Sequence, residues 1–216
     1  MLKYVFKVLA RIGWWLMVAF VYLAFRPRVR YINPDRKKHR FDKPVIFVGN
    51  HTSHMDGVLT TVIFRRNKAC ILVAKDWFDK PKFNWYLSNN RCIPMDRNGV
   101  ETGWLRYSIE ALKKKDESVI LYPEGKTRKE DEPDEFKSGF ILLAYMTGAP
   151  IVPFAVEGSY KMFFGKRQRI LVGEPMELTA ENKSMNPKYL EAESERFRQM
   201  VIQLQRKLKG EQKDDI

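Results

Sequence analysis

His51 and Asp56 stand five positions apart in Asn50-His51-Thr52-Ser53-His54-Met55-Asp56, just after the apolar run Val45-Ile46-Phe47-Val48. A neutral imidazole can take a proton from a hydroxyl. A carboxylate behind it holds the ring tautomer and stabilises the imidazolium that forms. No serine in a nucleophile-elbow setting accompanies the pair, so the attacking hydroxyl is expected on a bound molecule. That points to direct acyl transfer between two bound substrates. The pair alone carries little weight, because a histidine near a strand end more often only satisfies a local hydrogen bond. Three further segments add to it.

The first is Arg91-Cys92-Ile93-Pro94-Met95-Asp96-Arg97, a short apolar strand that delivers an Asp-Arg pair to its end. Arg97 offers a planar fork suited to phosphate. A solvated surface ion pair is the plain reading of such a dipeptide. The second is Val119-Ile120-Leu121-Tyr122-Pro123-Glu124-Gly125-Lys126-Thr127-Arg128, an apolar strand running into a Pro-Glu-Gly turn and a cationic loop. Gly125 lets backbone approach a ligand closely. Glu124 can accept hydrogen bonds from polyol hydroxyls, and Lys126 or Arg128 can meet a phosphate. The third is Ala149-Pro150-Ile151-Val152-Pro153-Phe154-Ala155-Val156, whose prolines suit a strand start or an edge.

In this order and spacing the four segments resemble the glycerolipid acyltransferase family, the acylglycerol-phosphate acyltransferases and their lysophospholipid relatives. That family carries an Asn-His-x4-Asp block, a block ending in Asp-Arg, a Phe/Tyr-Pro-Glu-Gly block and a Val-Pro block, and the likeness runs over roughly residues 41–175. The family's third block usually continues Thr-Arg directly after the glycine. Here Lys126 intervenes, so Thr127 and Arg128 each come one position later. The resemblance implies His51 as general base oriented by Asp56. It implies substrate contacts from Arg97, Glu124, Gly125, Lys126, Thr127 and Arg128, and Lys75 stands where the family often has a lysine. It also implies an acyl-CoA or acyl-carrier-protein donor, a lysophospholipid acceptor such as 1-acylglycerol 3-phosphate, and no cofactor.

The elements that must position these residues alternate along the chain. Strands are expected at about 45–49, 70–74, 91–95, 118–122, 151–157 and 169–173, and helices at about 55–66, 100–115 and 137–147. Such alternation predicts an α/β fold with a mixed, largely parallel sheet flanked by helices. Ligand sites in such sheets lie beyond strand ends, where all four blocks fall. Asn186 and Pro187 open a C-terminal helix expected to run to Lys209, with Gly210 after it, and Leu190, Phe197, Val201, Leu204 and Leu208 form its apolar stripe.

Ahead of this domain, Ile12 to Phe25 is an uncharged apolar stretch with Trp14, Trp15, Phe20 and Tyr22, flanked by Lys3, Lys7 and Arg11 on one side and Arg26, Arg28 and Arg30 on the other. As a helix its fourteen residues extend about 21 Å, short of the ~30 Å hydrocarbon core. Basic flanks and early aromatics suit an interfacial or re-entrant helix, and a single span from Val5 to Phe25 is the alternative. Residues 26–44 read as a basic linker. The division is therefore a membrane-associated segment with its linker, residues 1–40, and an acyltransferase domain, residues 41–216, with attachment expected on the cytoplasmic face. Trp77 to Leu87 holds five aromatics in eleven residues, either core or a membrane-facing lip that admits an acyl chain.

The chain has 216 residues, 44% of them hydrophobic, and a net charge of +13. Anionic membrane, coenzyme A phosphates or an acidic carrier protein would each draw such a chain, as would nucleic acid. No zinc-finger spacing or RNA-recognition consensus supports the last, so no nucleic-acid partner is expected. Cys70 and Cys92 lie in apolar runs and read as buried free thiols of a reducing compartment. His51, His54 and Asp56 crowd together, but the one other histidine is His39, upstream, so no metal site is expected. Two classes stand after this: a lysophospholipid acyltransferase, and a non-catalytic membrane-surface lipid-binding protein on the same fold. Binding alone would need neither His51 nor Asp56.

Overall fold

A computed structural model describes residues 2–35, 40–96, 102–127, 132–158, 160–179 and 185–214, with side chains from residue 8 to residue 210. A helix α1 (Leu2–Phe25) leads into β1 (Arg28–Tyr31), β2 (Ile46–Gly49), α2 (Met55–Ile63), a 3-10 turn (Phe64–Asn67) and β3 (Cys70–Ala74). Then follow α3 (Lys75–Phe78), α4 (Pro81–Asn89), β4 (Cys92–Met95), α5 (Gly103–Lys114), β5 (Val119–Leu121), α6 (Gly139–Thr147), β6 (Ile151–Glu157), β7 (Arg169–Val172) and α7 (Pro187–Asp214). The seven strands form one sheet in the order β1-β7-β6-β2-β5-β3-β4. The five strands from β6 to β4 are mutually parallel, whereas β7 pairs antiparallel with β6 and parallel with β1. This is the mixed, largely parallel sheet that the alternation predicts.

Helices cover both faces because the central strands are apolar on both. Along β2, Phe47 points to one face with Phe64, Phe154, Ile71 and the α1 residues Val21 and Phe25. Ile46 and Val48 point to the other, with residues of α5, α6 and α7. Phe47 and Phe64 stack at 3.9 Å and 10°. Ala155 and Leu171 extend the second face under Leu204 and Leu208 of α7. The predicted stripe of α7 therefore packs on the sheet.

Several expectations need correction. Residues 26–44 are not only a linker: Arg28–Tyr31 adds an edge strand in register with Arg169–Val172, and Phe41 is buried. The aromatic segment forms α3 and α4, with Pro81 at the first turn of α4. Helix α7 continues through Gly210 to Asp214; a glycine at an exposed position costs a helix about 1 kcal/mol, too little to end it alone. The first helix is also longer than its uncharged stretch, beginning at Leu2.

The C-terminal half of α1 lies on the domain. Val18, Val21, Ala24 and Phe25 are buried, while Arg65 after α2 bonds Tyr22 Oη at 3.2 Å and Tyr86 of α4 donates to Met17 Sδ. The opposite side carries Leu9, Ile12, Trp15, Leu16 and Leu23, all exposed. From Ile12 to Phe25 the helix is thus apolar all round, with only one side satisfied by protein. Residues Val8–Phe25 are apolar enough by composition to cross a membrane.

Candidate active site

The chain visits the sheet in an order that leaves three neighbouring parallel strands, β6, β2 and β5, ending at one edge. The loops after them supply the site. After β2 come Asn50 to Asp56, after β5 come Tyr122 to Thr127, and after β6 comes Tyr160. Gly49 closes β2 where Phe154 of β6 crosses it, and a Cβ there would collide with the Phe154 ring. Asn50 is buried and replaces the next rung of the ladder with its side chain: Nδ2 donates to Val156 O at 3.0 Å, and Val156 N donates to Oδ1 at 2.8 Å. The loop carrying His51 is thereby tied to the end of β6.

Asp56, in the first turn of α2, is fully buried. A buried carboxylate needs partners, and it has them. Oδ2 accepts from Thr52 N at 2.6 Å and Ser53 N at 2.7 Å and meets His51 Nδ1 at 3.1 Å. Oδ1 accepts from Tyr160 Oη. The His51–Asp56 bond puts the proton on Nδ1 and leaves the lone pair on Nε2. The imidazole also stacks on Tyr122 at 4.3 Å and 16°. The phenol of Tyr122 is in turn held by Thr60 Oγ1 at 2.7 Å, and burial with the Asp56 charge nearby pushes its pKa well up. The ring is held at one nitrogen and across one face, with its side chain 17% exposed. Such a ring is preorganised to accept a proton from a hydroxyl.

Glu124 is buried too, and its described partners are backbone amides rather than solvent: His51 N at 2.8 Å on Oε1 and Asp134 N at 3.1 Å on Oε2. Burial raises its pKa, and the two amides partly oppose that. It joins the first block to the third by holding the backbone of His51. Gly125 has φ of +71° in the turn that makes this possible, and a Cβ would crowd Lys137 Nζ at 3.3 Å. Lys126 is exposed and reaches Asp134 at 3.7 Å. Thr127 follows at the last described position of this loop. Lys75 is exposed at the start of α3, at the end of β3, two strands from β2. Arg97 and Arg128 lie outside the described residues. Asp96 sits just past β4, three strands from β2, about 14 Å at the usual strand spacing. His54 is exposed, with its ring 6.0 Å from Trp77. Among the described residues, no cluster of His, Cys, Asp and Glu could hold a metal ion.

Tyr160 was not legible in the sequence: it lies outside the four blocks and 104 positions from Asp56. Tyr122 was within reach, since an aromatic before Pro-Glu-Gly is part of the third block. Thr52 and Ser53 serve Asp56 through their amides, which any residue type supplies, but their hydroxyls add to this: Thr52 Oγ1 donates to Asp56 Oδ1 at 3.3 Å, and Ser53 Oγ accepts from Met55 N at 3.2 Å.

A family model described as Acyltransferase matches residues 28–157, well over half of the chain. The sequence is 24% identical over 184 residues to the 1-acyl-sn-glycerol-3-phosphate acyltransferase of Streptococcus pneumoniae, covering 84% of this chain and 67% of that one. It is 26% identical over 191 residues to the protein of the same name from Bacillus subtilis, covering 87% and 94%. With the chloroplastic BAT2 acyltransferase of Brassica napus it shares 29% over 123 residues, spanning 56% of this chain but only 35% of that one. The crystal structure of PlsC, the 1-acyl-sn-glycerophosphate acyltransferase of Thermotoga maritima, superposes with a TM-score of 0.64 at 23% identity, covering 96% of this chain and 80% of that one, a likeness of fold. The family match takes in the loops that carry His51, Asp56, Tyr122 and Glu124, and the chain belongs to the acyltransferase family.

Proposed function

We propose that this acyltransferase moves a fatty acyl group from a thioester donor to the free hydroxyl of 1-acylglycerol 3-phosphate, giving phosphatidate. The observation that carries the reading is the His51–Asp56 pair, held at 3.1 Å at the edge where three parallel strands end. In the proposed reaction Nε2 of His51 takes the acceptor's proton as its oxygen attacks the thioester carbonyl. The C–S bond then breaks, and the thiolate leaving group takes up that proton. Asp56 stabilises the imidazolium in between. No acyl-enzyme forms, so placement of both substrates supplies much of the rate.

The choice of acceptor rests on chemistry and on the names of the relatives. The strand ends from β2 to β4 form an edge with Lys75 between His51 and Asp96, and Arg97 follows Asp96 directly in sequence. A phosphate placed along this edge keeps the glycerol hydroxyl near His51. Helix α1, half docked and with its outer side apolar, supports attachment to a membrane, where both lipids reside. Because α1 is packed from Trp14 onward, the supported arrangement is a helix lying partly in one leaflet, with basic flanks towards anionic lipid. The cytoplasmic face is part of this proposal.

One panel tests the reading. The purified full chain is assayed with lyso-acceptors that carry or lack a bare phosphate, each against acyl-CoA and acyl-carrier-protein donors. The proposal expects strong preference for 1-acylglycerol 3-phosphate. Equal turnover of an acceptor without phosphate would overturn the assignment of acceptor.

A further inference from the structure

We propose that the loop Tyr160–Arg167 is a second lipid-contacting element, whose tip Met162-Phe163-Phe164 enters the surface of an anionic bilayer beside α1. The inference rests on the reading of α1 as a membrane anchor. Met162 is 46%, Phe163 52% and Phe164 97% exposed. Three consecutive large apolar side chains at a loop tip, one almost wholly in water, are a costly surface for a protein to keep unless something covers them.

The loop is built rather than slack. Phe163 adopts φ of +62°, a conformation uncommon for a bulky residue. Phe164 N bonds Met162 O at 2.7 Å and Gly165 N bonds Lys161 O at 2.9 Å, and a Cβ at Gly165 would collide with that same carbonyl. The turn is so tight that its apolar side chains are thrown outwards.

The loop is also fastened to the end of α1. Phe163 N donates to Ala24 O at 2.9 Å, and Gln168 N donates to Phe25 O at 3.1 Å. Arg26 Nη2 donates to Gly165 O at 2.7 Å. Helix carbonyls that would otherwise lack partners are thereby satisfied, and the loop tip is fixed at the level where the exposed stripe of α1 ends at Leu23. Lys161, Lys166 and Arg167 flank the tip, and Arg26 and Arg28 lie beside it. Apolar centre and cationic rim match an anionic lipid surface. A second copy of this chain, itself strongly basic, matches poorly. At its other end the loop carries Tyr160, which meets Phe25 edge-on at 5.3 Å and donates to Asp56. A seated loop therefore places the His51–Asp56 pair within a few residues of the lipid surface.

The test uses the full chain with an environment-sensitive fluorophore attached at Phe164→Cys, and separately at Leu16→Cys on the exposed side of α1. The two native thiols are suited to being left in place, since burial raises both pKa values to about 12. Vesicles of phosphatidylcholine and phosphatidylglycerol are added, with and without spin-labelled acyl chains. The proposal expects a severalfold rise in emission at position 164 on vesicle addition, quenched by the spin-labelled lipid. An unchanged signal at 164 with a lipid response at 16 overturns the loop proposal alone, and silence at both positions overturns the anchor reading with it. A rise at 164 that follows protein concentration without vesicles shows a second copy on the loop and also overturns the proposal. As a functional arm, F163N/F164S suits the left-handed backbone at position 163 and adds no charge. It should lower activity on vesicle-presented acceptor at least about tenfold, from the lost burial of two aromatic rings, and spare activity on a dispersed short-chain acceptor. Equal loss on both acceptors would contradict a lipid-contact role.

Discussion

At the scale of single residues, the candidate site is a set of restraints on one imidazole. Asp56 holds Nδ1, Tyr122 covers one face and Glu124 holds the backbone. Tyr160 acts one step further out, as a positioning residue for Asp56. Tyr160→Phe keeps the ring contact with Phe25 but removes the hydrogen bond. It should lower kcat by about tenfold, the worth of one hydrogen bond to a charged group, and leave acceptor KM unchanged; steady-state kinetics on both parameters checks this. Glu124 gives a pH dependence. Its folded-state pKa is raised by burial, so its contribution to stability is fully present below the ordinary glutamate value of about 4.3. That contribution is lost as pH rises through the folded-state pKa. The stability advantage of the native chain over Glu124→Gln should therefore shrink from acid towards neutral pH, and urea melts across that range would show it. Cys70 and Cys92, each raised from 9.0 to about 12 mainly by burial, should react with a thiol reagent at mildly alkaline pH about 1000-fold more slowly than free thiols. Denaturant should restore ordinary rates. The His51–Asp56 spacing could be read from sequence because His51 lies in a short loop and Asp56 in the first turn of the helix that follows it. Tyr160 could not, because its role depends on β6 lying beside β2.

At the scale of elements, the strands that bear the site were legible because each is an apolar run bounded by turn residues. β1, α3 and α4 were not. β1, Arg28-Val29-Arg30-Tyr31, alternates as a strand should, but its arginines belong to a longer basic stretch that reads as linker. Its exposed edge suits those charges, which discourage pairing with another chain. α3 and α4 hid within an aromatic-rich run whose helical signal was Pro81. Trp77 there meets Phe83 edge-on at 5.2 Å and carries Lys80 Nζ 4.0 Å from its ring centre, while Phe83 and Trp85 remain exposed. Part of the run is packing, and part is free to serve as the expected lip. The junction of β2 and β6 is the element-level point most sensitive to volume. Gly49→Ala forces the Phe154 ring aside and should destabilise the fold by about 1–3 kcal/mol, measured as a lower urea midpoint with an unchanged slope.

At the scale of the whole molecule, α1 is both anchor and wall of the core, which the sequence did not separate. Its uncharged stretch is apolar on every side, and only packing shows which side faces the domain. Removing residues 1–13 should weaken vesicle binding in co-sedimentation while leaving the melting temperature nearly unchanged. Removing 1–25 should also lower the melting temperature, because Val18, Val21, Ala24 and Phe25 fill the face that α2 shares. The same packing ties the anchor to the chemistry, through Phe25, Tyr160 and Asp56, at the edge where β6, β2 and β5 end. The proposed chemistry turns on the base at that edge. The most direct measurement is turnover of 1-acylglycerol 3-phosphate with a thioester donor by purified, folded His51→Ala in vesicles. Loss of the base should lower kcat by roughly 10²–10⁴-fold with an unchanged melting profile. Near-native turnover by that variant would contradict this chemistry.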